Sequence, residues 1–132
     1  MPAFQHSAPM ILPVVYIAGP YRALTPRRVL ANIWVAQEAA LTVWKLGAVA
    51  ICPHSNCYLF DDEAPNEVWL DGDLELLRRS DAMLLCGEWQ GSAGAQREHQ
   101  LAVELGLPIF YDTAPHVLRG WVEQWKRAAQ VE

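Results

Sequence analysis

Short apolar runs alternate along this chain with longer segments in which apolar residues recur every three or four positions. Short β-branched runs are typical of buried strands, and the three-to-four spacing is typical of amphipathic helices. The pattern predicts strands at 13–18, 48–52, 82–86 and 108–111. It predicts helices at 26–45, 66–80, 92–105 and 115–129, with loops at 54–65 and 87–91.

The order of these elements predicts the fold class. Strand and helix alternate, and the strands are apolar throughout, which is typical of a parallel sheet covered on both faces. We therefore expect an α/β fold with a doubly wound parallel sheet of four to five strands, a flavodoxin- or Rossmann-like three-layer sandwich. The length fits one domain over 13–132, preceded by a loose N-terminal tail at 1–12.

In such sheets ligands bind beyond the carboxyl ends of the strands. Three candidate ligand-binding residues, Gly19, Arg22 and His54, follow the first two predicted strands. Two of them have a plainer interpretation: Arg22 as a surface arginine, and His54 as a strand-end histidine bonded to the backbone. Trp89, in the loop after the third strand, could stack on a nucleobase or cover the core.

Two carboxylates lie on helix faces that should point inward. Positions three and four apart share a helix face, and Glu98 lies three after Ala95 and four before Ala102. Asp73 likewise lies three after Leu70 and four before Leu77. Burying an ionised carboxylate costs roughly several kcal/mol of folding free energy unless the group is paired or hydrogen-bonded, or becomes neutral.

Two inward carboxylates near a cleft are typical of chemistry at a glycosidic carbon, where one stays ionised and the other is protonated to assist the leaving group. Glu98 suits the ionised role because the helix dipole favours negative charge near a helix start. The alternative is that both are structural, with Glu98 paired to Arg22 or Arg97 and Asp73 to Arg78 or a backbone amide.

Small residues open the third long helix, at 91–95. Free backbone N–H groups at a helix start favour an anion, particularly a phosphate, and Ser92 and Gly94 are the candidate contacts. A serine cap and a loop glycine are also ordinary structural choices. Neither a G-x-G-x-x-G dinucleotide motif nor a Walker A motif occurs in the sequence.

Charge and cysteine content limit the partners. The net charge of −5 argues against non-specific binding to nucleic acid or to an anionic membrane. No apolar stretch approaches transmembrane length, and the N-terminus lacks the features of a signal peptide.

Three cysteines, an odd number, favour a reduced, cytoplasmic protein. Cys52, His54 and Cys57 are irregularly spaced with no second pair, so no metal site is predicted. Chemistry by two carboxylates at a glycosidic carbon needs no cofactor, and none is predicted.

Several segments together resemble the nucleoside 2-deoxyribosyltransferase superfamily, including the 2'-deoxynucleoside 5'-monophosphate N-glycosidases and uncharacterised small bacterial and phage proteins. The resemblance covers about residues 14 to 112, and the block from Gly87 to Gly106 is its most specific part. The segments that resemble the family are Tyr16–Tyr21, Asp73–Leu77, Ser80–Asp81, Gly87–Glu98 and Ala102–Gly106.

The resemblance implies a flavodoxin-like fold and cleavage or exchange of an N-glycosidic bond in a nucleoside or its 5'-monophosphate. It implies that Glu98 is the nucleophile, that Asp73 protonates the leaving base and that Tyr16 orients Glu98. Ser92 and Gly94 match the loop that binds phosphate or sugar. The family also implies a homodimer or tetramer in which a neighbouring subunit often completes the site, but no residue after Asp112 clearly supplies that group.

A non-catalytic nucleotide- or sugar-nucleotide-binding sensor is the main alternative function. It would need the helix start and the glycines but not two inward carboxylates. A structural partner protein with salt-bridged carboxylates is a third possibility. The sequence leaves open the base, the sugar, any need for phosphate, and hydrolysis against transfer.

Overall fold

Four strands and five helices lie within residues 10–130, the part of the chain that this computed structural model describes. The strands are β1 (Val14–Ala18), β2 (Val49–Ile51), β3 (Ala82–Leu85) and β4 (Ile109–Tyr111). The helices are α1 (Pro26–Lys45), α2 (Pro53–Asn56), α3 (Asn66–Arg78), α4 (Ala93–Leu105) and α5 (Pro115–Gln130). A single 3-10 turn, Trp89–Gly91, precedes α4.

The strands form one parallel sheet in the order β2-β1-β3-β4, which confirms the predicted fold class. β1 is central: Tyr16 pairs with Ile51 on one side and with Met83 on the other. All four carboxyl ends therefore meet at one edge of the sheet. The strand order changes direction between β1 and β3, and loops that diverge from such a switch point leave a crevice for ligands.

Each face of the sheet has its own core, because successive side chains of a strand point to opposite faces. Val15 and Ile17 of β1 pack with residues of α1 and α5 on one face. Tyr16 and Ala18 belong to the second cluster, together with Leu77 of α3 and other buried residues of β3 and α4. The face of α3 and α4 is the one that receives the predicted catalytic side chains.

The long helices begin and end where local chemistry predicts. The Thr25 side chain accepts a hydrogen bond from the Arg28 N–H at 3.2 Å, and Pro26 occupies the first turn of α1. α4 ends at Gly106, whose φ of 71° lies in the left-handed region that favours glycine. These boundaries are confirmed to within about two residues, the usual uncertainty of helix ends.

Two predicted loops contain short helical turns. α2 occupies the start of the loop predicted at 54–65, with Pro53 in its first turn, and the 3-10 turn lies in the loop predicted at 87–91. One turn is too short to show a hydrophobic period, so the pattern could not reveal it. Of the tail predicted at 1–12, residues 1–9 lie outside the described residues. Across 10–130, no helix combines the length and apolarity needed to cross a membrane.

Candidate active site

A cleft of about 900 Å³ opens at the carboxyl edge of the sheet, between the loops that follow β1 and β3. α3 and α4 supply its other walls. Both predicted carboxylates line the cleft, as do most of the predicted ligand contacts. The predicted residues that line it are Gly19, Arg22, His54, Asp73, Ser92, Gly94 and Glu98.

Tyr16 connects the centre of the sheet to Glu98. Its side chain is fully buried because it points from the middle of β1 into the core beneath α4. Its hydroxyl donates a hydrogen bond to Oε2 of Glu98. A buried phenol needs such a partner to offset the loss of water, and here the partner is a carboxylate that borders the cleft.

The Tyr16 hydroxyl stays protonated at all physiological pH. Burial raises the pKa of Tyr16 far above its usual range, and the negative charges of Glu98 and Asp73 raise this pKa further. The phenol is therefore a permanent donor to Glu98. This bond fixes one carboxylate oxygen and leaves the other oxygen of Glu98 available to a bound molecule.

Glu98 is a carboxyl group that burial makes less acidic. Burial raises the pKa of Glu98 to about 7, the hydrogen bond from Tyr16 opposes that rise, and the charge of Asp73 adds to it. Near neutral pH this side chain can therefore hold or release a proton. Such a shift in a cleft is typical of functional carboxyl groups.

Asp73 faces the same cleft from α3, and burial raises its pKa to about 6. The salt-bridge alternatives are not what the structure shows. Arg78 pairs with Glu75 at 3.3 Å, and Arg22 donates to the Asn66 side-chain oxygen at 2.6 Å. Among the described residues, neither Glu98 nor Asp73 takes part in a salt bridge.

The start of α4 forms one wall of the cleft. Ser92 is its N-cap, and the Ser92 hydroxyl oxygen accepts a hydrogen bond from the Ala95 N–H at 3.2 Å. The first N–H groups of a helix have no acceptor within it, so this wall offers free donors to an anion. A Cβ added at Gly94 would meet only the Ser92 Oγ, at 4.0 Å, so the space beside Gly94 is open.

Gly19 is required by the close approach of two strand ends. A Cβ at this position would lie 2.7 Å from the Cys86 sulfur and 2.9 Å from the Cys86 carbonyl oxygen. Any side chain would push the end of β1 away from the end of β3. Gly19 therefore shapes the floor of the cleft through its backbone.

His54 has the features of both interpretations given above, a ligand contact and a strand-end histidine bonded to the backbone. It lines the cleft, yet it is 6% exposed and its Nε2 lies 2.8 Å from the Pro20 carbonyl oxygen. Because a carbonyl only accepts, Nε2 carries the proton. Burial lowers the pKa of His54, so the ring is neutral and Nδ1 is an acceptor, with no partner among the described residues.

Trp89 does not line the cleft. Its ring packs against His99 of α4, with ring centroids 4.8 Å apart, and against the core cluster that contains Tyr16. This placement favours the second of the two interpretations, a tryptophan that covers the core. The 3-10 turn directs the indole toward α4 and away from the cleft.

Residues 13–112 match the model of a family described as a domain of unknown function, DUF7768. The chain belongs to this family. No curated protein matches the sequence significantly.

The DUF7768 domain shares its fold with a solved 2-deoxyribosyltransferase from the psychrotolerant bacterium Bacillus psychrosaccharolyticus, described as a biocatalyst for nucleoside synthesis. The two structures superpose with a TM-score of 0.57 over 74% of this chain and 70% of that chain, at 20% sequence identity. At this identity the likeness concerns the fold, and it agrees with the fold that the sequence resemblance implies.

The cleft of the DUF7768 domain also contains an aromatic residue that the sequence reasoning missed. Trp69 lines the cleft from α3 and packs on Phe60, with ring centroids 5.7 Å apart. It lies four residues before Asp73, so the helical spacing that singled out Asp73 also places Trp69 on that face. Tyr21, Asp61 and Asn66, which line the cleft too, come from loops and a helix start that have no periodic pattern.

Within residues 10–130, no three His, Cys, Asp or Glu side chains lie close enough together to hold a metal ion. Cys52 instead lies 3.8 Å from the Ser55 hydroxyl, which donates to its sulfur.

Proposed function

We propose that this protein cleaves or exchanges the N-glycosidic bond of a nucleoside or its 5'-monophosphate through a covalent glycosyl–Glu98 intermediate. One observation carries the proposal: a buried tyrosine donates to the carboxylate of Glu98 in a cleft that a second carboxyl group, Asp73, also faces. The similarity in fold to a 2-deoxyribosyltransferase supports the same reaction class.

In the first step an oxygen of Glu98 attacks the anomeric carbon of the sugar. The new C–O bond forms as the C–N bond to the base breaks, and Asp73 transfers its proton to the departing base nitrogen. Tyr16 holds the other oxygen of Glu98, which restricts the attacking carboxylate to one orientation. Restricting a nucleophile in this way lowers the entropy cost of the transition state.

In the second step water or a second base attacks the anomeric carbon. Asp73, now ionised, takes a proton from this acceptor, and the bond from the sugar to Glu98 breaks. Water gives hydrolysis and a base gives transfer. Both steps balance with these two carboxyl groups and the acceptor, so the proposal names no cofactor.

The raised pKa values make the productive form a minor one. The productive form has Glu98 ionised and Asp73 protonated. Because the pKa of Glu98 is about 7 and that of Asp73 about 6, the opposite form, with Asp73 ionised and Glu98 protonated, prevails between these pH values. The productive form is a minor fraction of the enzyme, and this fraction is largest in the same pH range. The pair titrates jointly, since the charge of Asp73 raises the pKa of Glu98.

The walls of the cleft suit the two ends of a nucleotide. Trp69 offers an aromatic surface on the same face of α3 as Asp73, so a base stacked on Trp69 would lie near the proposed acid. A base stacked on an aromatic side chain gains roughly 1–3 kcal/mol. Ser92, Gly94 and the start of α4 would bind the sugar or a 5'-phosphate, because free N–H groups and the helix dipole favour an anion.

The test is release of free base from a panel of ribo- and deoxyribonucleosides and their 5'-monophosphates, with and without an added acceptor base. We expect the wild type to release base from at least one substrate. Glu98→Gln should lower that rate at least about 1000-fold, as loss of a covalent nucleophile does. The circular dichroism spectrum of the variant should be unchanged.

Glu104→Gln is the matched control, the same change on an exposed part of the same helix. It should keep full activity. Full activity in Glu98→Gln would exclude the proposed nucleophile. Binding of nucleotides by the wild type with no base release from any substrate would favour the sensor function instead.

A further inference from the structure

One side of α1 displays large apolar residues to solvent. Leu30, Trp34, Leu41 and Trp44 are between 45% and 64% exposed. Together with Gln37 they follow one another at intervals of four, three, four and three residues. We call these five residues the α1 stripe.

The spacing of the α1 stripe is that of a helix–helix seam. At 3.6 residues per turn, the five positions stay within a sector of about 80° over a length of about 21 Å. Apolar residues at this heptad spacing typically pack against another helix. The α1 residues buried in the protein's own core occupy a different face of the helix, namely Ile33, Ala36, Ala39, Ala40 and Val43.

A groove runs beside the N-terminal half of the α1 stripe. It has a volume of about 360 Å³ and is bounded on its far side by Tyr58, which follows α2. The residues that line it are Leu30, Ile33, Trp34, Gln37 and Tyr58. The surface therefore has protruding apolar side chains next to a groove that can receive such a side chain from a partner.

We propose that the α1 stripe packs against the α1 stripe of a second copy of this chain, antiparallel, about a two-fold axis that passes near Gln37. This inference is independent of the proposed catalytic function. It assigns a face to the homodimer that the sequence resemblance implies.

The order of residues in the α1 stripe favours a second copy in this direction. In the antiparallel arrangement Leu30 faces Trp44 of the second copy, and Trp34 faces Leu41. Each apolar layer then combines one large and one smaller side chain, which fills space without voids, and the two Gln37 side chains meet at the axis. The tryptophan opposite Leu30 also lies next to the groove. In a parallel pair, tryptophan would meet tryptophan and leucine would meet leucine.

The size of the surface supports a stable pair. The exposed parts of the two tryptophans and two leucines amount to roughly 500 Å², which is the size of the largest apolar patch on a typical monomer, and such patches are often functional. Tyr58 and Leu59, both exposed nearby, extend the patch toward the ~800 Å² per partner of standard interfaces. The α1 stripe contains no charged residue whose burial would oppose association.

Sedimentation equilibrium of the full chain tests the proposal. We expect a wild-type dimer, and Trp34→Glu and Trp44→Glu should each weaken association at least 100-fold because each buries a charge in the seam. Val103→Glu is the matched control, because Val103 is 57% exposed on α4, across the sheet from α1. It should leave the dimer intact. A monomeric wild type, or dimers in both tryptophan variants, would overturn the proposal.

Disulfide cross-linking tests the direction of packing. In a Cys52→Ser, Cys57→Ser background, Gln37→Cys lies near the two-fold axis and should form a covalent dimer under mild oxidation. Ala31→Cys, exposed on the same helix, lies about 20 Å from its own copy in this arrangement and should not. Cross-linking of Ala31→Cys without Gln37→Cys would rule out the antiparallel pairing. Should the wild type be monomeric, residues 1–9 or another protein become the candidate cover.

Discussion

The two faces of the sheet use the same strands for different purposes. On the face of α1 and α5, Val15 and Ile17 of β1 pack in a cluster that includes Leu118 and Val122 of α5. On the face of α3 and α4, the alternate residue Tyr16 is just as buried but ends in a hydroxyl that donates to Glu98. One residue along β1 thus separates an entirely apolar core from a polar, titratable one.

This difference shows where the fold gives up stability for chemistry. An apolar face gains free energy from every buried side chain. The other face places two carboxyl groups where burial opposes their ionised forms, as the raised pKa values of Glu98 and Asp73 show. We therefore expect substitutions on the first face to change stability and substitutions on the second to change activity.

The largest effect on stability should come from the apolar face. Leu118 is 1% exposed in the core between α5 and the sheet. Leu118→Ala should lower the free energy of unfolding by about 2–5 kcal/mol because it leaves a cavity. Urea denaturation measures this change, and base release per folded molecule should not alter. Val117→Ala, next in sequence but 50% exposed, is the control. A large loss of activity per folded molecule in Leu118→Ala would contradict the assignment of stability to one face of the sheet and of activity to the other.

Asp73→Asn tests the acid on the other face. We expect kcat/KM to fall about 100-fold for substrates with poor leaving groups, within the usual contribution of a general acid, and less for bases that leave readily. The wild-type profile of kcat/KM should be a bell with limbs near pH 6 and 7, from the pKa values of Asp73 and Glu98. In the variant only the ionisation of Glu98 still matters, so the alkaline limb should be lost and kcat/KM should rise with pH to a plateau.

Removing Asp73 should also lower the pKa of Glu98. Because the Asp73 charge raises the pKa of Glu98, the single limb of Asp73→Asn should have its midpoint below the wild-type Glu98 value of about 7. Asp71→Asn, an exposed position on the same helix, should keep the wild-type profile. An equal and small loss for all leaving groups would show that Asp73 is not the acid.

Tyr16→Phe tests the hydrogen bond between sheet and nucleophile. We expect about a 10-fold lower kcat with little change in KM, because the phenol orients Glu98. The Tyr16 hydrogen bond lowers the pKa of Glu98, so its loss should move the limb near pH 7, which follows the Glu98 pKa, to higher pH. Tyr111→Phe, at a 44% exposed tyrosine, is the control. An unmoved limb near pH 7 would mean that the bond does not act on Glu98.

A gain of stability in the inactive enzyme should accompany these losses of activity. The pKa of Glu98 rises from 4.5 to about 7 on folding. The folded state therefore binds more protons, and the wild type loses stability as pH rises from about 4.5 to about 7. Glu98→Gln should be more stable than wild type at pH 8, by up to about 3 kcal/mol. The difference should be much smaller at pH 5. Equal differences at both pH values would exclude this cause.

Much of the site could be predicted because helical spacing is local. The positions of Leu70 and Leu77 place Asp73 inward, and those of Ala95 and Ala102 do the same for Glu98, without any knowledge of the sheet order. The same helical spacing could have predicted that Trp69, four residues before Asp73, faces the cleft. It could not predict the direction of Trp89, because whether a loop tryptophan covers the core or faces a ligand depends on the 3-10 turn that carries it.

The sequence by itself determined the parallel α/β architecture, the ends of the long helices and the inward direction of Glu98 and Asp73, because those depend on short-range periodicity and capping. No local pattern places Tyr16 against Glu98, 82 residues away; the family resemblance implied this pairing and the tertiary structure contains it as a hydrogen bond. Only the tertiary structure decided that Gly19 must pass against Cys86. It also showed that the α1 stripe remains exposed. Such pairings depend on strand order and helix packing, which bring distant residues together in ways that no local pattern encodes.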